Sequence, residues 1–214
     1  MFPFDAEVLT SFYGRYNADV WPAQVFALGL ALAAVWLSLS PRRFGARAIG
    51  ALLAAGWLWC GLVFFPRHFA QYDFMAPVYG WAFVIQAAVL LWLLVWQQRP
   101  PARQPDGFGA AGLALAFLAV VGLPLVSGLG AATFAAARIV GIAPGPTVIF
   151  TFAVLLLVAG RPPWLAMAIP LLWCAVAGVT GWVLAVPEAL AVALLGALAA
   201  GLLVWKGLRR GQPC

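Results

Sequence analysis

The sequence predicts an all-α fold, a polytopic bundle of about seven transmembrane helices preceded by a short amphipathic helix. Hydrophobic residues make up 65% of the 214-residue chain and charged residues only 8%, whereas globular domains contain about 25% charged residues. Seven long stretches contain no charged residue at all. Because a helix needs about 20 mostly apolar residues to cross the hydrocarbon core, such stretches are typical of membrane spans. They are residues 20–41, 48–66, 74–98, 107–137, 139–160, 162–187 and 189–205.

The first element is an amphipathic helix within residues 1–19. Phe4, Val8, Phe12 and Tyr16 recur every four residues, which places them on one face of a helix. We favour a helix that lies on the membrane surface over one that covers a site as a lid.

The first four spans are predicted at residues 20–40, 48–65, 77–97 and 108–129. Trp21 and Pro22 mark the start of the first span, as an interface anchor and a first-turn proline. Pro66 should end the second span, and the prolines within residues 98–106 keep the segment after the third from being helical throughout. Pro124 predicts a kink in the fourth.

The last three spans are predicted at residues 146–160, 163–185 and 187–205, followed by a basic cytoplasmic tail at residues 206–214. The span that begins at Pro146 has about 14 residues, or about 21 Å of helix, and is shorter than a hydrocarbon core of about 30 Å. Either the Gly- and Pro-rich segment before it enters the membrane irregularly, or neighbouring helices shield the short helix.

The basic residues predict the orientation of the spans. With the N-terminus outside, nine bases fall in inner segments and three in outer ones, which is a strong positive-inside bias. The inner bases are Arg42, Arg43, Arg47, Arg99, Arg103, Arg161, Lys206, Arg209 and Arg210; the outer bases are Arg15, Arg67 and Arg138. These bases form no patch of their own, so we expect no nucleic-acid partner. We expect a bacterial cytoplasmic (inner) membrane protein with a periplasmic N-terminus and a cytoplasmic C-terminus.

The sequence predicts an internal repeat of two triplets of spans. Pro22 to Phe26 aligns with Pro146 to Phe150, and Trp59-Cys60 aligns with Trp173-Cys174. The first three and last three spans would then share one orientation, with the fourth as a linker. This parallel 3+1+3 arrangement is a topology found in small transporters.

The charge pattern argues against several function classes. Apart from Glu188 at the edge of the last one, no predicted span contains a charged residue, whereas proton- and ion-coupled transporters usually hold an intramembrane carboxylate or histidine. His68 is the only histidine, so the chain supplies neither both axial ligands of a cytochrome-b-type haem nor an HExxH zinc site. We expect no cofactor and no metal site, and no catalytic residue can be assigned.

Eight polar residues are candidates for binding a small-molecule solute in a vestibule that opens to the outside. Four lie in helices and four in or next to outer segments: Gln24, Gln86, Thr147 and Thr151, and Asp19, His68, Asp73 and Glu188. Each type also has a structural interpretation. The glutamines can hydrogen-bond each other, the threonines can bond the carbonyl four residues back, and a loop histidine is usually solvated.

The start of the fifth span is a more specific candidate. Pro146 in its first turn leaves N–H groups of the following residues without helical partners, and a helix N-terminus carries partial positive charge. Together with the Thr147 and Thr151 hydroxyls, it suits an anionic or carbonyl-bearing ligand. We favour the alternative that Gln24, Gln86 or a neighbouring carbonyl and water satisfy these groups, which makes the motif structural.

Four motifs lie along the chain: Tyr16-Asn17 with Val20 to Gln24, then Pro146 to Phe152, then Arg161 to Trp173, and finally Val186 to Glu188. Together they resemble a family of bacterial multi-pass integral membrane proteins of unknown function. The resemblance covers nearly the whole chain, and Pro-Thr-x-Ile-Phe-Thr-Phe is its most specific part. The family often carries a cysteine just before this proline, where this chain has Gly145. The resemblance implies no activity.

Three functions are compatible with these observations. We favour a small-solute carrier or facilitator, because of the predicted repeat, the prolines in spans one and five and the polar outer halves of the helices. The alternatives are a membrane-embedded enzyme that acts on a lipid or quinone, with the outer acids and His68 as acid–base candidates, and a non-catalytic accessory subunit. The expected partners are the lipid bilayer and a small-molecule solute, and a homo-oligomer is compatible with the sequence.

Overall fold

A computed structural model describes residues 6–40, 45–96, 107–158 and 164–209, and these residues are helical almost throughout. The described part of the chain contains no β-strand, so the predicted all-α class is confirmed. Part of the sequence analysis falls outside these ranges, namely the Arg161 end of the third motif and six of the nine inner bases. Those bases are Arg42, Arg43, Arg99, Arg103, Arg161 and Arg210.

The described residues form eight long helices, of 14 to 25 residues each. They are α1 (Ala6–Asp19), α2 (Ala23–Leu39), α3 (Gly45–Phe69), α4 (Ala76–Val95), α5 (Gly107–Gly130), α6 (Pro144–Leu157), α7 (Leu165–Val183) and α8 (Pro187–Arg209). A short 3₁₀ turn, Phe134–Ala136, lies between α5 and α6. The predicted amphipathic helix and the seven predicted apolar segments each correspond to one of these helices.

Five helices are long and apolar enough to cross a membrane, namely α3, α4, α5, α7 and α8. The pair α1 and α2 passes the same test only when taken together, and the two are bent by 88° relative to each other. Length and composition therefore support five or six spans among the described residues. The count of seven and the 3+1+3 repeat stay predictions.

Pro66 does not end the second apolar segment, contrary to the sequence analysis. Helix α3 continues past it to Phe69, because its last part, Cys60–Phe69, is π-helical. Hydrogen bonds in a π-helix span five residues, and Ala70 N–H donates to the Phe65 carbonyl at 2.9 Å. The proline is accommodated within this wider turn.

Helix α6 lies at the centre of the bundle. Apart from Gly145, every residue from Pro144 to Leu157 is buried, and a helix that is apolar on all sides belongs in an interior. Helices α5, α7 and α8 pack against it, as do α2 and α3. With 14 residues, it is shorter than the hydrocarbon core. Neighbouring helices therefore shield it, which is one of the two alternatives that its length predicted.

Small residues allow helix backbones to approach closely at two crossings. A Cβ at Gly112 on α5 would lie 3.0 Å from the Ala153 carbonyl oxygen of α6, and a Cβ at Gly61 on α3 would lie 2.9 Å from the Gly80 oxygen of α4. Glycine is favoured at helix contacts in membranes because it permits this approach. These two crossings fix α6 and α4 against their neighbours.

The C-terminal end of α6 is held by a lysine from α8. Lys206 is fully buried, and its Nζ donates to the carbonyls of Leu155, Leu156 and Val158 at 3.2, 2.7 and 2.6 Å. Because these carbonyls have no partner within α6, the lysine replaces the missing hydrogen bonds. Helix α8 accordingly runs to Arg209, so Lys206 belongs to a helix and not to the predicted tail at residues 206–214.

The expectation that no span carries a charge is wrong for α8. Glu188 lies in its first turn and Lys206 in its last, and both side chains are buried. The predicted span, residues 187–205, included the glutamate at its edge and stopped one residue before the lysine. Each charged group has at least one partner in another element, Arg138 for Glu188 and carbonyls at the end of α6 for Lys206, which the sequence pattern does not reveal.

The opposite end of the bundle is covered by α1. Leu9, Phe12, Tyr13 and Tyr16 are buried, and Phe12 contacts Phe64 of α3 edge to face at 5.5 Å between ring centroids. Of the predicted apolar face, Phe12 and Tyr16 therefore pack on the other helices, whereas Val8 is exposed.

Polar contacts fix α1 to the segment that precedes α6. The Tyr16 hydroxyl donates to the Ile142 carbonyl at 2.8 Å. The Asn17 amide donates to the carbonyls of Ala135 and Ala137 at 2.7 and 2.8 Å. Both ends of the buried α6 region are therefore tied to helices distant in sequence.

Candidate functional site

A cavity of about 70 Å³ lies beneath α1, at the end of the bundle where α3, α4, α7 and α8 meet the start of α6. This volume exceeds the minimum of about 10–15 Å³ that one water requires. Besides Thr180 and small or aliphatic residues, the lining contains an aromatic and an ionisable group. The aromatic ones are Tyr13, Phe64, Phe69, Tyr79 and Trp173; the ionisable ones are Asp73, Arg138 and Glu188.

Glu188 and Arg138 form a buried ion pair at this cavity. The Arg138 Nη1 donates to Glu188 Oε2, and the two side chains are only 13% and 2% exposed. The Arg138 guanidinium also lies 4.4 Å from the centre of the Tyr13 ring, a favourable cation–π arrangement. The pair joins the segment before α6 to the first turn of α8 and to α1.

Two polar atoms at the cavity lack partners among the described residues. They are Oε1 of Glu188 and Nε1 of Trp173. A buried polar group without a hydrogen bond costs roughly 1–3 kcal/mol, and few native groups are left so. Glu188 Oε1 is an acceptor and Trp173 Nε1 a donor, and both belong to residues that line the cavity.

Gly145 leaves the space beside the free glutamate oxygen open. A Cβ at this position would lie 3.2 Å from Glu188 Oε1 and 3.0 Å from Val192 Cγ2. The glycine lines the cavity, so any side chain here would narrow the approach to the carboxylate.

Asp73, a predicted site residue, faces the same cavity. It lies between α3 and α4, is 8% exposed, and its Oδ1 accepts a hydrogen bond from the Met75 N–H at 2.8 Å. The structure thus brings together two of the eight candidates, Asp73 and Glu188, which are 115 residues apart in the sequence.

Asp19 and His68 form a separate pair near the surface. His68 Nδ1 lies 4.0 Å from Asp19 Oδ2, and the aspartate side chain is 65% exposed. The histidine ring packs edge to face on Tyr16, with centroids 5.0 Å apart. An exposed pair of this kind contributes little to stability, and neither residue lines the cavity.

The two glutamines do not meet. The Gln24 amide donates to the Asn17 carbonyl at 2.6 Å, and the Gln86 amide donates to the Ala166 carbonyl at 2.9 Å. Both are buried, and their Oε1 atoms have no partner among the described residues. Each glutamine holds a neighbouring segment, and neither lines the cavity.

The threonine hydroxyls of α6 are used within the fold. The Thr147 hydroxyl donates to the Ala143 carbonyl at 2.7 Å and accepts from the Gly141 N–H at 2.8 Å. The Thr151 hydroxyl donates to the Thr147 carbonyl at 2.9 Å and accepts from the Trp57 indole at 2.8 Å. Both therefore make the bond to the carbonyl four residues back that the structural interpretation predicts.

The N-terminus of α6 also has few free donors. The helix begins at Pro144, two residues earlier than predicted, so the Thr147 N–H already has a partner in the Ala143 carbonyl at 3.3 Å. Pro144 and Pro146 have no N–H groups at all. Few N–H groups therefore remain to bind the anionic or carbonyl-bearing ligand that the sequence suggested.

Replacing Thr147 with valine is expected to destabilise the protein by roughly 1–3 kcal/mol, because the Gly141 N–H would lose its acceptor. Thr180→Val is the matched control. Its half-buried hydroxyl only donates to the Val176 carbonyl, so a change within about 0.5 kcal/mol is expected. Thermal unfolding of both variants in detergent measures the difference. Equal stability of the two variants would show that the Thr147 hydroxyl does not support this turn.

Neither Arg138 nor any of the aromatic lining residues was predicted as a site residue. Arg138 was assigned to topology, while Tyr13 and Trp173 were given no role in a site. A signal existed for Arg138, since a lone arginine within an apolar stretch usually has a buried partner. No such signal marks the two aromatic residues.

A second, larger space is apolar. It is a groove of about 320 Å³ between α2, α3 and the start of α6, lined by small and aliphatic residues that include Ala27, Ala31 and Leu53. Its lining contains no charged side chain. The described residues also contain no group of three or more His, Cys, Asp or Glu that could hold a metal ion.

Comparison with known proteins gives one match. The model of a family described as "Family of unknown function (DUF6064)" matches residues 6–212, nearly the whole chain. No curated protein and no solved structure matches the chain.

Proposed function

The chain belongs to the DUF6064 family, whose function is unknown, and from that premise we propose that it is a multi-pass membrane protein that binds a small solute in the Glu188 cavity and carries it across the membrane. The family lends it no activity, so the proposal rests on the geometry of the site. Its long apolar helices are compatible with a membrane protein.

The observation that carries the proposal is the unpaired Glu188 Oε1 beside Gly145. A carboxylate oxygen that is buried and free is unfavourable unless something occupies it. Trp173 Nε1 is the complementary donor at the same cavity. A small solute with polar groups would satisfy both atoms and be enclosed by aromatic rings, which is the usual character of a small-molecule site.

Helix α6 supports a carrier over a simple receptor. It is shorter than the hydrocarbon core and begins beside the cavity, and interrupted helices that end at a binding site are a recurrent feature of transporters. The orientation in this proposal follows the sequence analysis, with seven spans, a parallel repeat, a periplasmic N-terminus and the cavity open to the outside of a bacterial inner membrane.

Gly145→Ala is expected to reduce solute uptake by about tenfold or more, since its Cβ would obstruct Glu188 Oε1. The assay is uptake into liposomes that contain the purified protein, with a panel of small amines, alcohols and carboxylates. Gly201→Ala is the matched control, because a Cβ there has no neighbour within 4 Å, and it should retain full uptake.

Two outcomes contradict the proposal at different points. If no solute enters faster than in protein-free liposomes, the carrier function is wrong. Binding that Gly145→Ala abolishes, without any uptake, would then favour an accessory or receptor subunit. If Gly145→Ala leaves uptake unchanged, the transported solute does not bind beside Gly145.

A further inference from the structure

We propose that the ligand of the Glu188 cavity is a small alkylammonium compound, a protonated amine whose N–H group bonds to Glu188 Oε1. This inference rests on the proposed solute-binding function and names the chemical class of the solute. Three features of the cavity support it: the free carboxylate oxygen, the aromatic walls and the balance of charge.

The carboxylate oxygen requires a donor. An ionised carboxylate only accepts hydrogen bonds, and Oε2 is already occupied by Arg138. Oε1 is therefore the remaining acceptor, and the side chain that carries it is only 2% exposed. An ammonium N–H makes a charge-assisted bond here, roughly twice as strong as a bond from a neutral donor.

The walls of the cavity are suited to a cation. Phe64, Phe69, Tyr79 and Trp173 present aromatic surface to it, and the Tyr79 and Trp173 rings meet at 82° with centroids 5.6 Å apart. Aromatic faces attract cations through their quadrupoles, and grouped aromatic rings are a common way to bind ammonium ligands. Tyr13 already binds the Arg138 guanidinium in this way.

The ionisable groups around the cavity carry one more negative than positive charge, which favours binding of a cation. Asp73 and Glu188 contribute two carboxylates and Arg138 one guanidinium, and the Arg138 charge is directed at Glu188 Oε2 and the Tyr13 ring. The N-termini of α6 and α8 also point towards this region and carry partial positive charge. However, Pro144, Pro146 and Pro187 remove N–H donors from these first turns, which limits their preference for an anion.

Trp173 adds a second specificity. Its Nε1 has no acceptor among the described residues, so an amine that also carries an oxygen should bind better than one without. Ethanolamine has both groups and is small enough to be a probe. Ethylamine lacks the oxygen, ethylene glycol replaces the ammonium by a hydroxyl, and glycolate replaces it by a carboxylate.

Calorimetric titration of the full-length protein in detergent with these four compounds tests the inference. Ethanolamine should bind most tightly, ethylamine next, and ethylene glycol and glycolate about tenfold or more weaker than ethanolamine. Trp173→Phe should reduce the affinity for ethanolamine more than that for ethylamine, because phenylalanine keeps an aromatic wall but has no N–H group. Equal or tighter binding of ethylene glycol or glycolate would overturn the ammonium assignment.

Gly145→Ala separates the failure of this inference from the failure of the proposed function. If only the uncharged or anionic probes bind, and Gly145→Ala abolishes that binding, the cavity is a solute site and the ammonium class is wrong. If none of the four probes binds the wild-type protein, the ammonium class is also wrong, and the wider uptake panel decides the proposed function. Gly145→Ala/Val192→Ala removes the tight contact with Val192 and serves if the single variant does not fold.

The same ammonium group occurs free in solution and in phosphatidylethanolamine headgroups. Titration in nanodiscs of phosphatidylcholine, with and without phosphatidylethanolamine, distinguishes the two sources. Competition by the lipid would identify a headgroup, and unchanged ethanolamine binding would identify a free amine. Both results support the ammonium chemistry.

Discussion

Lys206→Met is expected to destabilise the protein by roughly 3 kcal/mol or more, because three buried carbonyls would lose their donor and each unpaired group costs about 1–3 kcal/mol. The methionine side chain fills similar space but donates no hydrogen bond. The carbonyls of Leu155, Leu156 and Val158 lie where water does not easily reach them, since all three residues are buried. Thermal or denaturant unfolding in detergent measures the loss.

Arg209→Gln is the matched control for this change. Arg209 lies in the same last turn of α8 but is exposed, with its guanidinium 4.4 Å from the Trp205 ring centre. Its replacement should change stability by about 1 kcal/mol or less. Should Lys206→Met prove no more damaging than Arg209→Gln, the lysine does not hold the end of α6.

Arg138→Met is expected to cost roughly 3–5 kcal/mol, the effect of removing one partner of a buried ion pair. The Glu188 carboxylate would stay buried with no opposite charge. Glu188→Gln should also destabilise, since Arg138 would lose its strong acceptor. The double variant Arg138→Met/Glu188→Gln should be more stable than the sum of the two losses predicts, because it leaves no unpaired charge.

Arg15→Gln is the comparison for this pair, because Arg15 lies on α1 at the same end of the bundle and is exposed. Its change should stay within about 0.5 kcal/mol. Additive effects of the two single changes at the ion pair would contradict a direct interaction between Arg138 and Glu188.

The helices follow from the sequence because length and hydropathy are local properties. All seven apolar segments form helices, with ends that differ from the prediction by only a few residues, and α1 forms where its four-residue repeat predicts. Pro66 is the main exception, since a proline usually ends a helix and the π-helical turn that accommodates it leaves no pattern in the sequence.

The site follows only in part, because its contacts join residues far apart in the chain. Asp73 and Glu188 were candidates on the ground that acids near the outer ends of spans are available for binding, and both line the cavity. Arg138 and Lys206 were assigned to loops, where a base serves topology. A base at the end of a span can equally turn inward and bond a neighbouring helix, and only the packing decides between the two.

For the membrane protein proposed above, the position of Lys206 has a consequence for the order in which the helices insert. The carbonyls at the end of α6 are bonded by Lys206, which is synthesised 48 to 51 residues after them. Until α8 emerges from the ribosome, α6 is both too short to span and incompletely bonded at one end. We therefore expect α6 to insert late, together with α7 and α8, and not as an independent step. Nascent chains stopped before Pro187 should leave a cysteine at Thr151 open to water-soluble thiol reagents, and protection at that stage would refute late insertion.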